Sequence, residues 1–207
     1  MIAIIDYDAG NLKSVEKALA FISEESIVTR DVDVLMKAEK VILPGVGAFE
    51  DAMDKLHGYD LVAPIKEIVK QETPFLGICL GMQLMFEGSD ESPKDVEGLS
   101  LLPGRILRIP DKEGLKIPHM GWNSLELKEN ATLFQNIPEN PYVYFVHSYY
   151  LKAANRDDVA ATTEYSTLID ASVERGNLFG CQFHPEKSGT VGLQILRNFA
   201  AVGRGTK

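Results

Sequence analysis

The stretch Pro74-Phe75-Leu76-Gly77-Ile78-Cys79-Leu80-Gly81 decides how this 207-residue chain folds. Pro74 opens an apolar run, residues 75–78, suited to a strand buried on both faces. The run ends in Cys79, and residues 80–86 then read as a helix. A reactive side chain on a sharp strand-to-helix turn, with small residues two places before and after it, is the nucleophile-elbow pattern, here with Cys in place of Ser. The turn crowds its neighbours, and Gly77 and Gly81 meet that need. A helix N-terminus favours thiolate over thiol. Its free N–H groups, starting at Leu80, can receive an oxyanion. Alone, a Cys between glycines also reads as a small core residue. A base elsewhere in the chain has to decide between the two.

Outward from the elbow, the first half keeps alternating. Residues 2–5 and 26–29 read as strands, and residues 41–43 as a strand stopped by Pro44-Gly45. Leu12, Val15, Leu19 and Ile22 recur at helical spacing, with Asn11 placed to cap the first turn. Residues 48–56 and 60–71 read as further helices. Strand and helix in alternation mean a parallel sheet with crossover helices. The second half opens with a polar, acidic loop at residues 88–98. Short strands follow near 105–109, 123–127, 142–146, 159–163, 168–174 and 178–183, with Arg175-Gly176-Asn177 as a hairpin signal. A closing helix spans 189–201, with Val191, Ile195, Leu196 and Phe199 on its apolar face. The expected fold is one α/β domain over residues 1–207. It has an open, mostly parallel, flavodoxin-like sheet with flanking helices and an antiparallel annex.

A net charge of −9 argues against a nucleic-acid binder. No apolar stretch reaches membrane-spanning length. The start, Met1-Ile2-Ala3-Ile4-Ile5-Asp6, reads as a strand and not as a signal peptide. Two cysteines, Cys79 and Cys181, make no disulfide framework, so a reducing cytoplasm is expected. Cys181 sits in a strand and is expected to be buried. No His/Cys cluster has zinc-site spacing, and no metal is expected.

The base is His184, in His184-Pro185-Glu186 after the apolar run 178–183. In an extended segment, residues two apart point to one side. Glu186 can then hold one imidazole nitrogen and leave the other for Cys79, the logic of nucleophile, base and orienter. His57 reads as structural, at a helix end; His119 and His147 have no evident orienter. Pro44-Gly45-Val46-Gly47 follows a strand at the sheet edge where ligands bind in open α/β folds. Val46 and Gly47 are candidates for a second oxyanion donor, although a plain turn is the simpler reading of four such residues. Pro118-His119-Met120-Gly121-Trp122-Asn123 holds the only Trp, beside Met and Pro. Trp and Met are enriched at interface cores, with a core Trp at a strand start as the alternative.

The elbow Gly77-Ile78-Cys79-Leu80-Gly81-Met82-Gln83 together with His184-Pro185-Glu186 resembles the class I (triad) glutamine amidotransferases. Four further stretches narrow the resemblance: Asp6-Tyr7-Asp8-Ala9-Gly10-Asn11, Pro44-Gly45-Val46-Gly47-Ala48-Phe49, the Trp122 segment, and Tyr144-Phe145-Val146-His147-Ser148-Tyr149. They are similar to the glutaminase subunits of imidazole glycerol phosphate synthase. The likeness covers essentially the whole chain. Asp8 departs from it, where relatives often carry Gly; the first turn alone is expected to feel this.

The resemblance implies an enzyme that needs no cofactor. Cys79 attacks the side-chain amide of glutamine, His184 moves the protons and Glu186 orients it. Leu80, Val46 and Gly47 are implied as oxyanion donors. Gly47, Gln83, Ser148 and Tyr149 are implied as glutamine contacts. The ammonia passes to a cyclase partner of (β/α)₈-barrel fold, in a heterodimer of histidine biosynthesis. That partner makes imidazole glycerol phosphate and an aminoimidazole carboxamide ribonucleotide. Asn11, Met120, Trp122 and Tyr144 are implied to lie near it. The alternative is a glutaminase serving another synthase, of the vitamin B6 or anthranilate type.

Overall fold

The computed structural model describes residues 1–8, 10–92 and 95–203. Ala9 of the first motif and residues 93 and 94 of the acidic loop lie outside the described residues. The first half runs β1 (Ile2–Ile5), α1 (Leu12–Phe21), β2 (Ser26–Thr29), α2 (Val32–Lys37), β3 (Lys40–Gly45), α3 (Phe49–Gly58), α4 (Val62–Lys70), β4 (Phe75–Cys79) and α5 (Leu80–Leu84). The second half begins with β5 (Gly88–Ser89), β6 (Gly104–Arg108), β7 (His119–Ser124), β8 (Glu126–Leu127), β9 (Tyr142–His147) and β10 (Tyr149–Ala153). It ends with β11 (Val159–Tyr165), β12 (Thr167–Arg175), β13 (Leu178–Cys181) and α6 (Gly189–Ala201).

Strands β2-β1-β3-β4-β13 lie parallel in that order, the flavodoxin-like winding. Beyond β13 the same sheet turns antiparallel through β12, β10 and β6, with β11 and β8 branching from β12. The annex is therefore continuous with the parallel half. A separate antiparallel ribbon pairs β7 with β9.

Every residue of β1, β3, β4 and β13 is buried. Alternation along these strands sends side chains to opposite faces. Ile2, Ile4, Ile42, Leu76, Ile78 and Phe179 pack under α1 and α6, against Val15, Leu19, Ile195 and Phe199. Ala3, Ile5, Val41, Leu43 and Phe75 pack against Leu35, Met53, Leu56, Ile65 and Ile68 of α2, α3 and α4. This two-sided core explains why the strands read as unbroken apolar runs.

Several local expectations change. Strand β3 continues through Pro44 and Gly45, which pair with Ile78 and Cys79. Its pairing with β1 ends at Ile42, so the missing N–H of Pro44 interrupts no ladder bond on that side. The strand expected at 123–127 is two pieces, β7 starting at His119 and the short β8. Helix α5 is shorter than expected and ends at Leu84. Helix α2 has six residues, one of them buried, and is started by the Asp31 carboxylate accepting from the N–H groups of Asp33 and Val34. Asn11 sits at the start of α1 with φ 73° but makes no side-chain cap.

Candidate active site

Cys79 ends β4 with φ 54° and ψ −113°, a conformation costly for a residue with a side chain, on the order of 1–3 kcal/mol. The surrounding sheet enforces it. Gly45 pairs with Cys79 on one side, and β13 runs alongside on the other. The glycines leave no slack. A Cβ on Gly81 would lie 1.8 Å from the Leu43 carbonyl oxygen, and one on Gly77 would lie 2.6 Å from Met82 Cα. Only bare backbone lets α5 start so close to β3 and β4. Leu80 is the first residue of that helix, so its N–H has no partner within it.

His184 follows β13 and is buried. Its N–H donates to the Tyr144 carbonyl at 3.0 Å, and its own carbonyl accepts from Ser188 Oγ at 2.6 Å. Nδ1 lies 2.8 Å from Glu186 Oε1. A carboxylate only accepts, so Nδ1 carries the hydrogen and Nε2 is left to face Cys79. Nε2 is buried with no hydrogen-bond partner. Glu186 reaches His184 from a 3₁₀ turn, Pro185–Lys187, and not from the extended segment expected. Its Oε1 also accepts from Asn11 Nδ2 at 2.5 Å. The Asn11 side chain is thus spent on the Glu186 carboxylate rather than on the helix cap.

Burial alone would lower the pKa of His184. The negative charge of Cys79 and Glu186, with the hydrogen bond from Nδ1 to Glu186, outweighs it and pushes the imidazole up to about 9. Burial raises the Cys181 thiol well above the usual range, which leaves it an inert core residue, as its strand context suggested. Burial, helped by the charge of Cys79, likewise raises Tyr7, whose hydroxyl donates to the Pro44 carbonyl at 2.9 Å.

A cavity of about 400 Å³ opens beside the sulfur. Val46, Gly47, Cys79, Leu80, Gln83, Ser148, Tyr149 and His184 all line it, so it gathers eight residues singled out from sequence. Val46 is exposed, and Gly47 has φ 104°. Glu186 and Asn11 stand behind His184. Met120, Trp122 and Tyr144 lie on one face of the β7–β9 ribbon, where Trp122 pairs with Tyr144 and packs edge-on at 6.0 Å. Met120 and Trp122 are 66% and 56% exposed, which rules out the core reading of that Trp.

Glu91, Pro118, Val146 and His147 also line the cavity and were not anticipated as site residues. Glu91 came from the acidic loop, where one carboxylate looks like another. Here it accepts from the Phe49 N–H at 2.8 Å, at the start of α3. His119 and His147 prove to have partners. His147 Nδ1 lies 2.8 Å from the Tyr149 carbonyl, and His147 Nε2 lies 2.9 Å from His119 Nδ1. Burial lowers their pKa values to about 3 for His147 and about 4 for His119. Asp8 also departs from expectation. Its carboxylate holds Arg30 and the Tyr59 hydroxyl, tying the loop after β1 to the end of α3. His57 lies in the last turn of α3, as expected of a structural residue.

Among the described residues, no helix is long and apolar enough to cross a membrane. The model of the family "Glutamine amidotransferase class-I" matches residues 3–202. The imidazole glycerol phosphate synthase subunit HisH of Thermosynechococcus vestitus is 49% identical over 203 residues, covering 97% of this chain and 96% of that one. The subunit of the same name from Bacillus cereus strain ATCC 14579 is 50% identical over 202 residues, covering 98% and 95%. A solved glutamine amidotransferase superposes with a TM-score of 0.74 at 17% identity, covering 96% of this chain and 97% of that one, which speaks for the fold. With an elbow cysteine, an oriented histidine and a shared cavity in place, the chain belongs to the class-I glutamine amidotransferases and, within them, to the HisH subunits of imidazole glycerol phosphate synthase.

Proposed function

We propose that the chain hydrolyses glutamine through a thioester on Cys79 and passes the ammonia to a (β/α)₈-barrel cyclase subunit in the cytoplasm. The whole chain would act as one amidotransferase domain. The observation that carries the reading is the single cavity shared by Cys79, His184 and the three oxyanion candidates Leu80, Val46 and Gly47.

Glutamine enters with its amide carbon over Cys79 Sγ. His184 Nε2 takes the sulfur proton as the thiolate attacks, and gives it to the departing ammonia. The amide oxygen, now an oxyanion, meets the Leu80 N–H and a donor from Val46 or Gly47. A water then attacks the glutamyl thioester, with His184 as the base, and glutamate leaves. Glu186 keeps the imidazole oriented throughout. Ser148, Tyr149 and Gln83 are placed to hold the substrate, and the Glu91 carboxylate is suited to its α-ammonium group. The face formed by exposed Met120 and Trp122 with half-buried Tyr144 would receive the partner. Tyr144 makes backbone contacts with both His184 and Ser188, so docking there bears on the triad.

The test is glutamine turnover by the chain alone, with the barrel cyclase, and with the cyclase carrying its nucleotide ligand. Turnover should rise with the loaded cyclase and vanish in Cys79→Ala, which should still bind the cyclase. Stimulation only by a synthase outside histidine biosynthesis would reject the cyclase assignment.

A further inference from the structure

We infer that Gln182 is a further residue of the nucleophilic machinery, holding the Cys79 sulfur with a side-chain N–H. Gln182 is fully buried and lies one step beyond the pairing of Cys181 with Ile78. Its Nε2 is 3.8 Å from Cys79 Sγ.

The direction of the amide follows from a chain of obligate roles. The Tyr149 carbonyl can only accept, and Gln83 Nε2 lies 3.0 Å from it. The same Gln83 nitrogen lies 2.9 Å from Gln182 Oε1. Gln83 therefore donates one hydrogen to each, and the oxygen of Gln182 is committed as an acceptor. Its nitrogen must then be the end that faces the sulfur. The Val146 carbonyl, 4.0 Å from the sulfur, can take the S–H of the thiol form.

When the Sγ proton moves to His184 Nε2, Gln182 keeps both of its amide hydrogens and one still points at the sulfur. A hydrogen bond to an ionised acceptor is stronger than one to a neutral acceptor. Gln182 thus favours the thiolate over the thiol and fixes where the sulfur points. It also ties Gln83 and the Tyr149 backbone, both at the cavity, to the nucleophile. The inference depends on the proposed glutaminase only for the identity of its nucleophile. A test on the sulfur itself separates the two.

The test is the pH profile of Cys79 alkylation by iodoacetamide in the folded full-length chain, with Cys79→Ala supplying the background from Cys181. Gln182→Leu should slow alkylation at pH 7 by about tenfold and move the profile to higher pH. For glutamine hydrolysis, kcat should fall by a similar factor, with KM changing less than about twofold. Gln182→Asn keeps an amide but draws it back from the sulfur, and should show the same shift. In the otherwise unaltered chain, Cys79→Ala should move the side-chain amide resonance of Gln182. A folded Gln182 variant with the parent alkylation profile, or a Gln182 amide resonance indifferent to Cys79→Ala, would overturn the assignment.

Discussion

Asn11 Nδ2 and Glu186 Oε1 are 2.5 Å apart, on the same carboxylate oxygen that holds His184. One oxygen thus takes two donors, from the loop after β1 and from His184 in the segment after β13. Glu186→Gln puts an amide where the imidazole needs a pure acceptor. We expect kcat for glutamine to fall roughly 10²–10⁴-fold with little change in KM. Asn11→Ala removes one donor and leaves the His184 contact in place, so a loss of about tenfold is expected. Steady-state kinetics with the cyclase present check both. Equal losses in the two variants would mean that Glu186 cannot hold the imidazole without Asn11, against the lesser role expected of Asn11.

His184 gives an alkaline limb. Its pKa, pushed up to about 9 by Cys79 and Glu186, lies above the value of 6.5 it has when unfolded. On the proposed mechanism the imidazole, once it has taken the sulfur proton, holds it through neutral pH until ammonia leaves, so kcat should decline above about pH 9. The same shift acts on stability. The folded chain holds more protons than the unfolded one between pH 6.5 and 9, so this contribution is complete below 6.5 and is lost as pH rises to 9. Urea midpoints in that window should fall with pH in the parent and fall less in His184→Asn. A parallel fall in both would sink the assignment.

The His119–His147 pair acts in the opposite direction. Both pKa values are depressed by burial, to about 4 and about 3, so unfolding takes up protons below pH 6.5. Stability should drop as pH falls from 6.5, by about 2 kcal/mol per histidine at pH 5. His119→Asn retains a donor near Nδ1 for His147 and removes one titrating ring. The slope of unfolding free energy against pH between 5 and 6.5 should lose close to one proton. An unchanged slope would show that His119 is not held neutral.

Gly81→Ala places a methyl group 1.8 Å from the Leu43 carbonyl oxygen, which belongs to the sheet and cannot move aside. A loss of about 3 kcal/mol or more is expected. Thermal unfolding checks this, and a melting temperature equal to that of the parent would refute the close approach.

The central strands were legible because burial on both faces leaves no polar alternation, and Cys79 because its glycines serve a local steric need. His184 and Glu186 were found as a motif, but the backbone between them was misjudged. Pro185 starts a 3₁₀ turn, which dipeptide reasoning on an extended chain does not anticipate. Asn11 misled for a similar reason: it has a cap residue's chemistry, but a partner 175 residues away claims its side chain. Glu91, Gln182 and His147 carry no local signature at all. Their significance comes from tertiary neighbours, namely the cavity for Glu91, the sulfur for Gln182 and a second ring for His147. Helix α2 and strand β5 were too short to show a period.

Strand β13 fills the seam between the parallel half of the sheet and its antiparallel half, and the imidazole hangs from its far end. A nascent chain that has emerged from the ribosome only as far as the elbow has a thiol and no base. The proposed base therefore reaches the thiol only when the two halves become one sheet, which ties the proposed chemistry to a completed fold.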